Sequence, residues 1–303
     1  MALISTGSVN KALWPGVNAW FGLSYNEHPL ECSEIFETLR SEKNFEEDVN
    51  VYGFGLATVK PETGSIQYDE SGQGWVQRYT HVAYGLGFII SREAVEDNLY
   101  MELAQKRTKA LAFSMRQTKE NVAANILNRA FNSSYTYADG IELCSTVNEK
   151  SKGGTFGNEL VTAADLSELA LEQACIDIMN MTNDASLKVR LMPRKLIIPP
   201  ALAFEAERIL KSSLQSDNSS NALNALKSKG VLPEGYTVNH YLTDADAFFI
   251  KTDCQDGLKL FQRRDVAIEN DTDFDTSNLK YKATERYSVG ASDKRGIFGS
   301  PGA

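Results

Sequence analysis

The sequence has few of the residues from which metal and redox sites are built. Its 303 residues include four cysteines and three histidines. No Cys-x-x-Cys pair and no Cys/His cluster occurs, so the sequence predicts neither a zinc site nor a redox pair. We therefore expect free thiols in a reducing compartment and no metal or cofactor. The cysteines are far apart, at Cys32, Cys144, Cys175 and Cys254.

Long apolar runs and an excess of basic residues are also absent. No stretch approaches the roughly 18 apolar residues that a membrane span needs. The first residues, MALISTGSVNKALWPG, lack the basic and apolar regions of a signal peptide. Acidic residues outnumber basic ones by 40 to 31, giving a net charge of −9. This balance disfavours a protein that binds nucleic acid over a broad basic face.

No recognised catalytic motif occurs, including GxSxG, HExxH and GxxxxGK[ST]. The pair Gly85 and Gly87 has the spacing of a dinucleotide loop, but position 90 is Ile where a third glycine is needed. The three histidines, His28, His81 and His240, are isolated from one another, and a structural role is expected for each.

Three aspartates, Asp271, Asp273 and Asp275, have the spacing of a calcium loop. Thr276 replaces the glycine of the sharp turn, and Lys282 replaces the bidentate glutamate. A solvated turn is therefore the expected structure. A weak cation site at a subunit contact, or a hydrolase site built on these aspartates, remains as an alternative.

The chain has one dominant stretch, from Trp75 to Phe131. Its first part, to Ile90, alternates between apolar and other residues and predicts a strand. Ser91 can cap a helix, and no proline or glycine interrupts residues 92–131. A helix of this length would extend for about 60 Å, with Leu111 and Met115 among its inward residues.

Before this helix we expect a long hairpin, preceded by an irregular, aromatic-rich arm of about 50 residues. The outgoing strand is predicted at Val51–Lys60, a polar tip at Pro61–Gly74, and the return strand from Trp75. A short amphipathic helix is expected within residues 29–44. A two-stranded ribbon is marginal alone in water, so the hairpin should lie on another surface.

The remaining sequence alternates between helical and strand patterns, which predicts an α+β fold with a compact insert near residues 135–250. Helices are expected from a capping-box-like start at Thr162–Asp165 to Asn180, at Ala201–Lys211 with Phe204 and Ile209 inward, and at Leu223–Lys229, ended by Gly230. Ser212–Asn221 should be a surface loop. Strands are expected at 193–198, 237–241, 247–251, 258–262, 266–269 and 281–289.

Basic residues of the long helix are interspersed with acidic ones, which predicts a solvated or intersubunit face, with the lining of a nucleic-acid compartment as the alternative. The residues are Arg107, Lys109, Arg116, Lys119 and Arg129. Together, the arm, the projecting hairpin and the long helix are features that would allow one copy of the chain to contact its neighbours.

Five stretches, in this order, resemble the major capsid (head) proteins of tailed bacteriophages with the Hong Kong 97-like fold. They are GLGFIISREAVEDNLY (85–100) leading into ENVAANILNRAF (120–131); ADGIELCST (138–146); PRKLIIPPALAFEAERILKS (193–212); LPEGYTVNHYLTDADAFFIKTD (232–253); and the C-terminal region from Gly257 to Gly302.

The resemblance implies an N-terminal arm at 1–50, an extended hairpin loop at 51–90 lying over the adjacent subunit, a peripheral domain with the spine helix at 91–134 and 251–303, and an axial domain at 135–250. It implies a structural protein without enzymatic activity that assembles into the hexamers and pentamers of an icosahedral head. The head would enclose double-stranded DNA without sequence-specific binding, and would assemble in the cytoplasm of a bacterial host.

The resemblance also implies partners: other copies of the chain, a portal and in some cases decoration proteins. Because about 50 residues precede the hairpin, a separate scaffolding protein or prior processing is expected. The tip at 61–74 contains no lysine, so no covalent cross-link is assigned. An encapsulin-like nanocompartment shell and an uncharacterised enzyme are the alternatives. The candidate intersubunit residues are Trp14, Trp20, Lys60, Glu62, Tyr68, Trp75, Arg78 and Arg116.

Overall fold

The computed structural model describes residues 18–27, 29–93, 100–214, 223–273, 275 and 278–303, with residues 100–103 described by their backbone alone. The strands are β1 (Glu37–Arg40), β2 (Phe45–Tyr52), β3 (Gly72–Thr80), β4 (Val82–Ile90), β5 (Asn148–Glu149), β6 (Thr155–Phe156), β7 (Pro193–Ile198), β8 (Tyr236–Val238), β9 (Phe248–Thr252), β10 (Leu258–Thr272), β11 (Leu279–Ala291) and β12 (Ile297–Ser300). The helices are α1 (18–25), α2 (Cys32–Ile35), α3 (Tyr100–Asn128), α4 (Glu168–Asn180), α5 (Ala203–Lys211) and α6 (Ala225–Lys229), with short 3-10 helices at Pro200–Leu202 and Lys294–Gly296. The predicted α+β class is confirmed.

The first sheet has the strand order β1-β10-β11-β4 and carries the long helix α3 on one face. Leu111 and Met115 of α3 are buried against Tyr281 and Ala283 of β11, as predicted for this face of the helix. Phe21 of α1 packs into the same cluster. The described part of the arm therefore belongs to the core of its own chain.

The second sheet has the order β12-β9-β7-β8 and is covered by helices α4 and α5. Its outermost strand, β12, comes from the end of the chain and pairs antiparallel with β9. Phe298 of β12 is buried in the core of the second sheet, whereas the resemblance implied that residues 251–303 belong to the peripheral domain. Strands β8 and β9 lie on either side of β7 and do not pair with each other.

The hairpin differs from its predicted form. Strand β2 ends at Tyr52, and residues 53–71 contain no strand, so the outgoing strand predicted at Val51–Lys60 is wrong. The predicted return strand divides at His81 into β3, which pairs with β2, and β4, which pairs with β11. At the division the His81 ring is buried between Ser41 and Ser288, with Nε2 3.0 Å from the Ser41 hydroxyl oxygen and Nδ1 2.9 Å from that of Ser288.

Helix α3 is described from Tyr100 to Asn128, residues 92–93 are also helical, and 94–99 lie outside the described residues. The prediction of a solvated or intersubunit basic face is wrong for Lys119, which is buried and forms an ion pair with Glu285. Arg129 lies over the ring of Tyr135.

Three local predictions also change. Helix α4 begins at Glu168, because Ser167, not Thr162, accepts the capping hydrogen bond from the amide of Ala170. Phe204 is 80% exposed, whereas Ile209 is buried as predicted. The helix predicted within 29–44 is only α2, because residues 37–40 form β1 beside β10. Most of the predicted loop 212–221 lies outside the described residues, and α6 ends at Gly230 in the left-handed conformation as predicted.

Candidate assembly surface

The hairpin, defined as β2, the loop 53–71 and β3, presents the two most exposed large apolar side chains of the described part of the chain. Val59 is 94% exposed, Tyr68 92% and Leu56 83%. Phe54 and Ile66 are also largely exposed. Exposed apolar side chains that follow one another along a single loop are typical of a surface that binds another protein.

The base of the hairpin, in contrast, is fixed to its own chain by side-chain hydrogen bonds. The Lys259 ammonium lies 2.7 Å from the Asp48 carboxylate. Asn50 donates to Asp184 at 2.9 Å, and the amide of Ala138 donates to the Gln77 side chain at 3.1 Å. The base is thus held rigidly while the loop projects beyond it.

The Asp69 carboxylate connects the loop to the body of the protein, and the Glu70 carbonyl accepts a further hydrogen bond from Lys152 at 3.4 Å. Asp69 accepts hydrogen bonds from the amide of Gly55 at 2.6 Å and from the Lys152 ammonium at 3.0 Å. These two contacts lower the pKa of Asp69 to about 2, and the hydrogen bond from the Gly55 amide has the larger effect. Lys152 lies within the turn that connects β5 to β6, so this contact holds the loop against that turn.

Two buried ion pairs lie beneath the base of the hairpin. The Lys294 ammonium is 2.6 Å from Asp139, and the Arg295 guanidinium is 2.8 Å from Asp184. Burial lowers the pKa of Lys294, and its pairing with Asp139 opposes this effect. The space beside both pairs is about 40 Å³, and a more open groove of about 440 Å³ borders Asp184 and Arg295. Because Asp184 also accepts a hydrogen bond from Asn50, the second pair helps to position the base of the hairpin.

The structure places three candidate contact residues, Lys60, Glu62 and Tyr68, together on the exposed loop. Trp75 lies at the surface of the ribbon beside them in the hairpin. Sequence reasoning missed Leu56 and Val59, because it placed them in a strand. Their apolar character in a segment without a pairing partner was the signal that could have identified them.

The other candidates lie elsewhere or contact their own chain. Arg78 lies 3.6 Å from Glu47, with its guanidinium 3.8 Å from the centre of the Phe45 ring. Trp20 packs against the core beside α3, and Arg116 donates to the carbonyl of Pro29. Trp14 lies outside the described residues.

Among the described residues, no group of three potential metal ligands occurs. Asp273 pairs with Lys280 at 2.7 Å, consistent with an ordinary turn. The histidines 81 and 240 have hydrogen-bonding partners, as expected of structural residues, and His28 lies outside the described part. In the same part of the chain, no helix combines the length and the apolar character of a membrane span.

Comparison with known proteins supports an assembly role. The model of a family described as phage capsid protein matches residues 75–299. A search of curated proteins finds no match. A solved structure from Mycobacterium phage Che8 has a TM-score of 0.55 and 14% identity, covering 90% of this chain and 92% of that chain.

Two further solved structures share the fold. One from Mycobacterium phage Patience has a TM-score of 0.52 and 10% identity, over 95% of this chain and 87% of that chain. A phage-related protein from Bordetella bronchiseptica RB50 has a TM-score of 0.52 and 12% identity, over 92% and 95%. Because the family match covers well over half of its length, the chain belongs to the phage capsid protein family and is a structural protein of a bacteriophage virion.

Proposed function

We propose that this chain is the major capsid protein of a tailed bacteriophage and builds the head by self-assembly. The observation that carries the proposal is the hairpin, whose base is anchored while its apolar loop is exposed. Each large apolar side chain that a neighbouring copy covers would stabilise the contact by about 1.5–3 kcal/mol. Repeated at every subunit, this contact would hold a lattice together.

The proposed layout is that of the Hong Kong 97-like fold. Residues 1–50 would be the N-terminal arm and 51–90 the extended loop. The first sheet and α3 would form the peripheral domain, from 91–134 and most of 251–303, with β1 contributed by the arm and β4 by the extended loop. Residues 135–250, joined by β12, would form the axial domain. The division into two sheets, each with its own helices, supports this layout.

The assembled shell would consist of hexamers and pentamers around double-stranded DNA, formed in the cytoplasm of the bacterial host. Scaffolding and portal proteins, and in some heads decoration proteins, would be the partners. The net charge of −9 fits a shell wall that does not adhere to DNA over its whole surface.

The test replaces residues 53–71 with Asn-Gly. These two residues favour a tight hairpin turn and can connect Tyr52 to Gly72, which face each other in the ribbon. We expect a soluble protein with an unchanged circular dichroism spectrum that forms no shells by sedimentation and electron microscopy. Normal shells from this variant would contradict the role of the loop.

A point variant keeps the loop length and tests its apolar character. Leu56→Asp together with Val59→Asp should prevent assembly, whereas the matched control, Leu56→Ile with Val59→Ile, should form shells. Equal assembly of the two variants would contradict the proposal. Images of particles from the native host would also distinguish DNA-filled heads with tails from protein-filled cages, and cages would support a nanocompartment instead.

A further inference from the structure

A cluster of arginines lies on the face of the first sheet that α3 does not cover. Strand β11 alternates, so Glu285 and Tyr287 point towards the helix and Arg286 points away from it. Arg264 of β10 stands opposite Arg286 in the sheet register. Together with Arg263 and His81, these two arginines line an open cleft of about 450 Å³.

A bulge in β10 brings the arginines onto this face. The register shifts on both sides of Arg264, between Gln262 and Ala267. Gln262 donates to Glu285 on the helix side, and without the bulge Arg264 would follow it to that side. Instead, the Arg264 guanidinium donates to the Thr284 hydroxyl at 3.0 Å on the open face.

The three guanidinium groups are held by uncharged acceptors. Arg286 donates to the Asn44 side chain at 2.7 Å and to the carbonyl of His81 at 3.3 Å. Arg263 donates to the carbonyl of Ser41 at 3.5 Å. Among the described residues none of the three arginines forms a salt bridge, so their charge is left for a ligand.

Nearby carboxylates are already paired with other cations. Asp265 lies 3.4 Å from Arg40, and Glu46 lies 3.1 Å from Lys43. Burial and then the charge of Arg286 lower the pKa of His81, with a smaller contribution from Arg263, while the Glu46 carboxylate opposes them. This local concentration of positive charge contrasts with the net charge of −9 of the chain.

The strand beside the arginines has almost no side chains on this face. Ala83 stands opposite Arg286, Gly85 opposite Thr284 and Gly87 opposite Lys282. The glycine pair therefore leaves a shallow, open path along β4 beside the guanidinium groups. An extended polymer can lie in such a path, whereas a small ligand would find little enclosure there.

We propose that this cleft, lined by Arg263, Arg264 and Arg286, binds the phosphate backbone of double-stranded DNA. Guanidinium groups match phosphate oxygens in a bidentate geometry. A protein partner would be expected to find large apolar anchors, and none lines the cleft. The proposal rests on the proposed function only in that the shell would bring DNA to this surface.

The experiment measures binding of a fluorescent 20-base-pair DNA to the full, unassembled chain at 50 mM salt by anisotropy. Three phosphate contacts predict a slope of log Kobs against log salt of about −2.7, or an approximately 40-fold loss between 50 and 200 mM. Arg263→Gln, Arg264→Gln and Arg286→Gln together should weaken binding at least tenfold and flatten the slope. The control variant removes the same charge near the second sheet, through Arg190→Gln, Arg194→Gln and Arg208→Gln. It should leave the DNA affinity and the salt slope unchanged.

Further variants guard against loss of folding. Arg264→Gln alone removes an exposed group whose one hydrogen bond is to Thr284, and it should reduce affinity about threefold or more and the slope by about one. Lysine at all three positions should keep the slope. Equal DNA binding by the triple glutamine variant, or no binding by the unmodified chain, would overturn the proposal.

The assembly readout separates this proposal from the proposed function. Shells that form normally from a variant with weakened DNA binding support both. If the triple variant binds DNA normally but cannot assemble, the cleft binds a second copy of the chain and the DNA proposal is overturned. If polyglutamate competes as well as DNA at equal charge, the cleft recognises carboxylates and not phosphates, which also overturns it.

Discussion

The Lys119 ammonium on α3 lies 2.7 Å from the Glu285 carboxylate on β11, and both side chains are almost fully buried. Lys119 also donates to Gln262 at 2.8 Å, and Tyr25 of α1 donates to Glu285 at 3.2 Å. This cluster connects the arm, the long helix and the first sheet.

Replacing Lys119 with methionine should reduce the free energy of unfolding by about 3–5 kcal/mol, because Glu285 would stay buried without its cation. Urea denaturation measures the change. Lys109→Met, at an exposed position of the same helix, is the control and should change stability by less than about 0.5 kcal/mol. Adding Glu285→Gln to Lys119→Met should recover part of the loss. If the single variant matches the control, the pair is not a stabilising contact.

The inward face of α3 gives a second prediction. Leu111→Asp would place a carboxylate among Met115, Tyr281 and Ala283, without a cation to pair with it. We expect an unfolded or insoluble protein, a loss of more than about 3 kcal/mol. Phe113→Asp is the control. The Phe113 side chain, two residues away, is 60% exposed, so this variant should stay folded. A folded Leu111→Asp protein would show that this face is not core.

These two positions show what the sequence could reveal. Helical spacing was sufficient to predict Leu111 as inward, because apolar periodicity reports burial directly. Lys119 was assigned to the surface, because a lysine in a helix gives no sign of the glutamate that pairs with it 166 residues later. The partner exists only once β11 packs on α3.

The hairpin shows the same limit for strands. Alternation from Trp75 to Ile90 suggested one strand, but β3 pairs with β2 and β4 pairs with β11, which is distant in sequence. The placement of β12 beside β9 is also a long-range pairing that local pattern does not encode. The exposed loop, including Tyr68, lies within the hairpin that the sequence predicted to project from the chain.

The contact of Asp69 with Lys152 and the Gly55 amide gives a third prediction. Asp69→Asn should loosen the loop, seen as at least tenfold faster hydrogen exchange in residues 53–71. Glu70→Gln is the matched control, because the Glu70 carboxylate makes no described contact with Lys152, and it should leave exchange unchanged. Equal exchange in the two variants would show that Asp69 does not hold the loop.

Acid should release the same contact. The folded-state pKa of Asp69, about 2, lies below its unfolded value, about 3.9. The contact is therefore fully present above the unfolded value and is lost as the pH falls through about 2. An NMR titration of the Asp69 carboxyl should show a midpoint near 2. Lys152→Met should raise this midpoint only part of the way to the unfolded value, because the hydrogen bond from the Gly55 amide is the larger cause of the low pKa. A midpoint near 3.9 in the unmodified protein would contradict this geometry.

In the proposed shell, another copy of the chain covers the exposed hairpin loop. The most direct measurement places a photo-crosslinking amino acid at Tyr68 and assembles shells from equal amounts of nitrogen-14 and nitrogen-15 protein. Mass spectrometry then separates crosslinks within a chain from crosslinks between chains. The same group at Tyr79, which is buried on its own chain, should give intrachain products alone. We expect mixed-isotope crosslinks from position 68. Same-isotope crosslinks alone at that position would contradict the proposal that a neighbouring copy covers the loop.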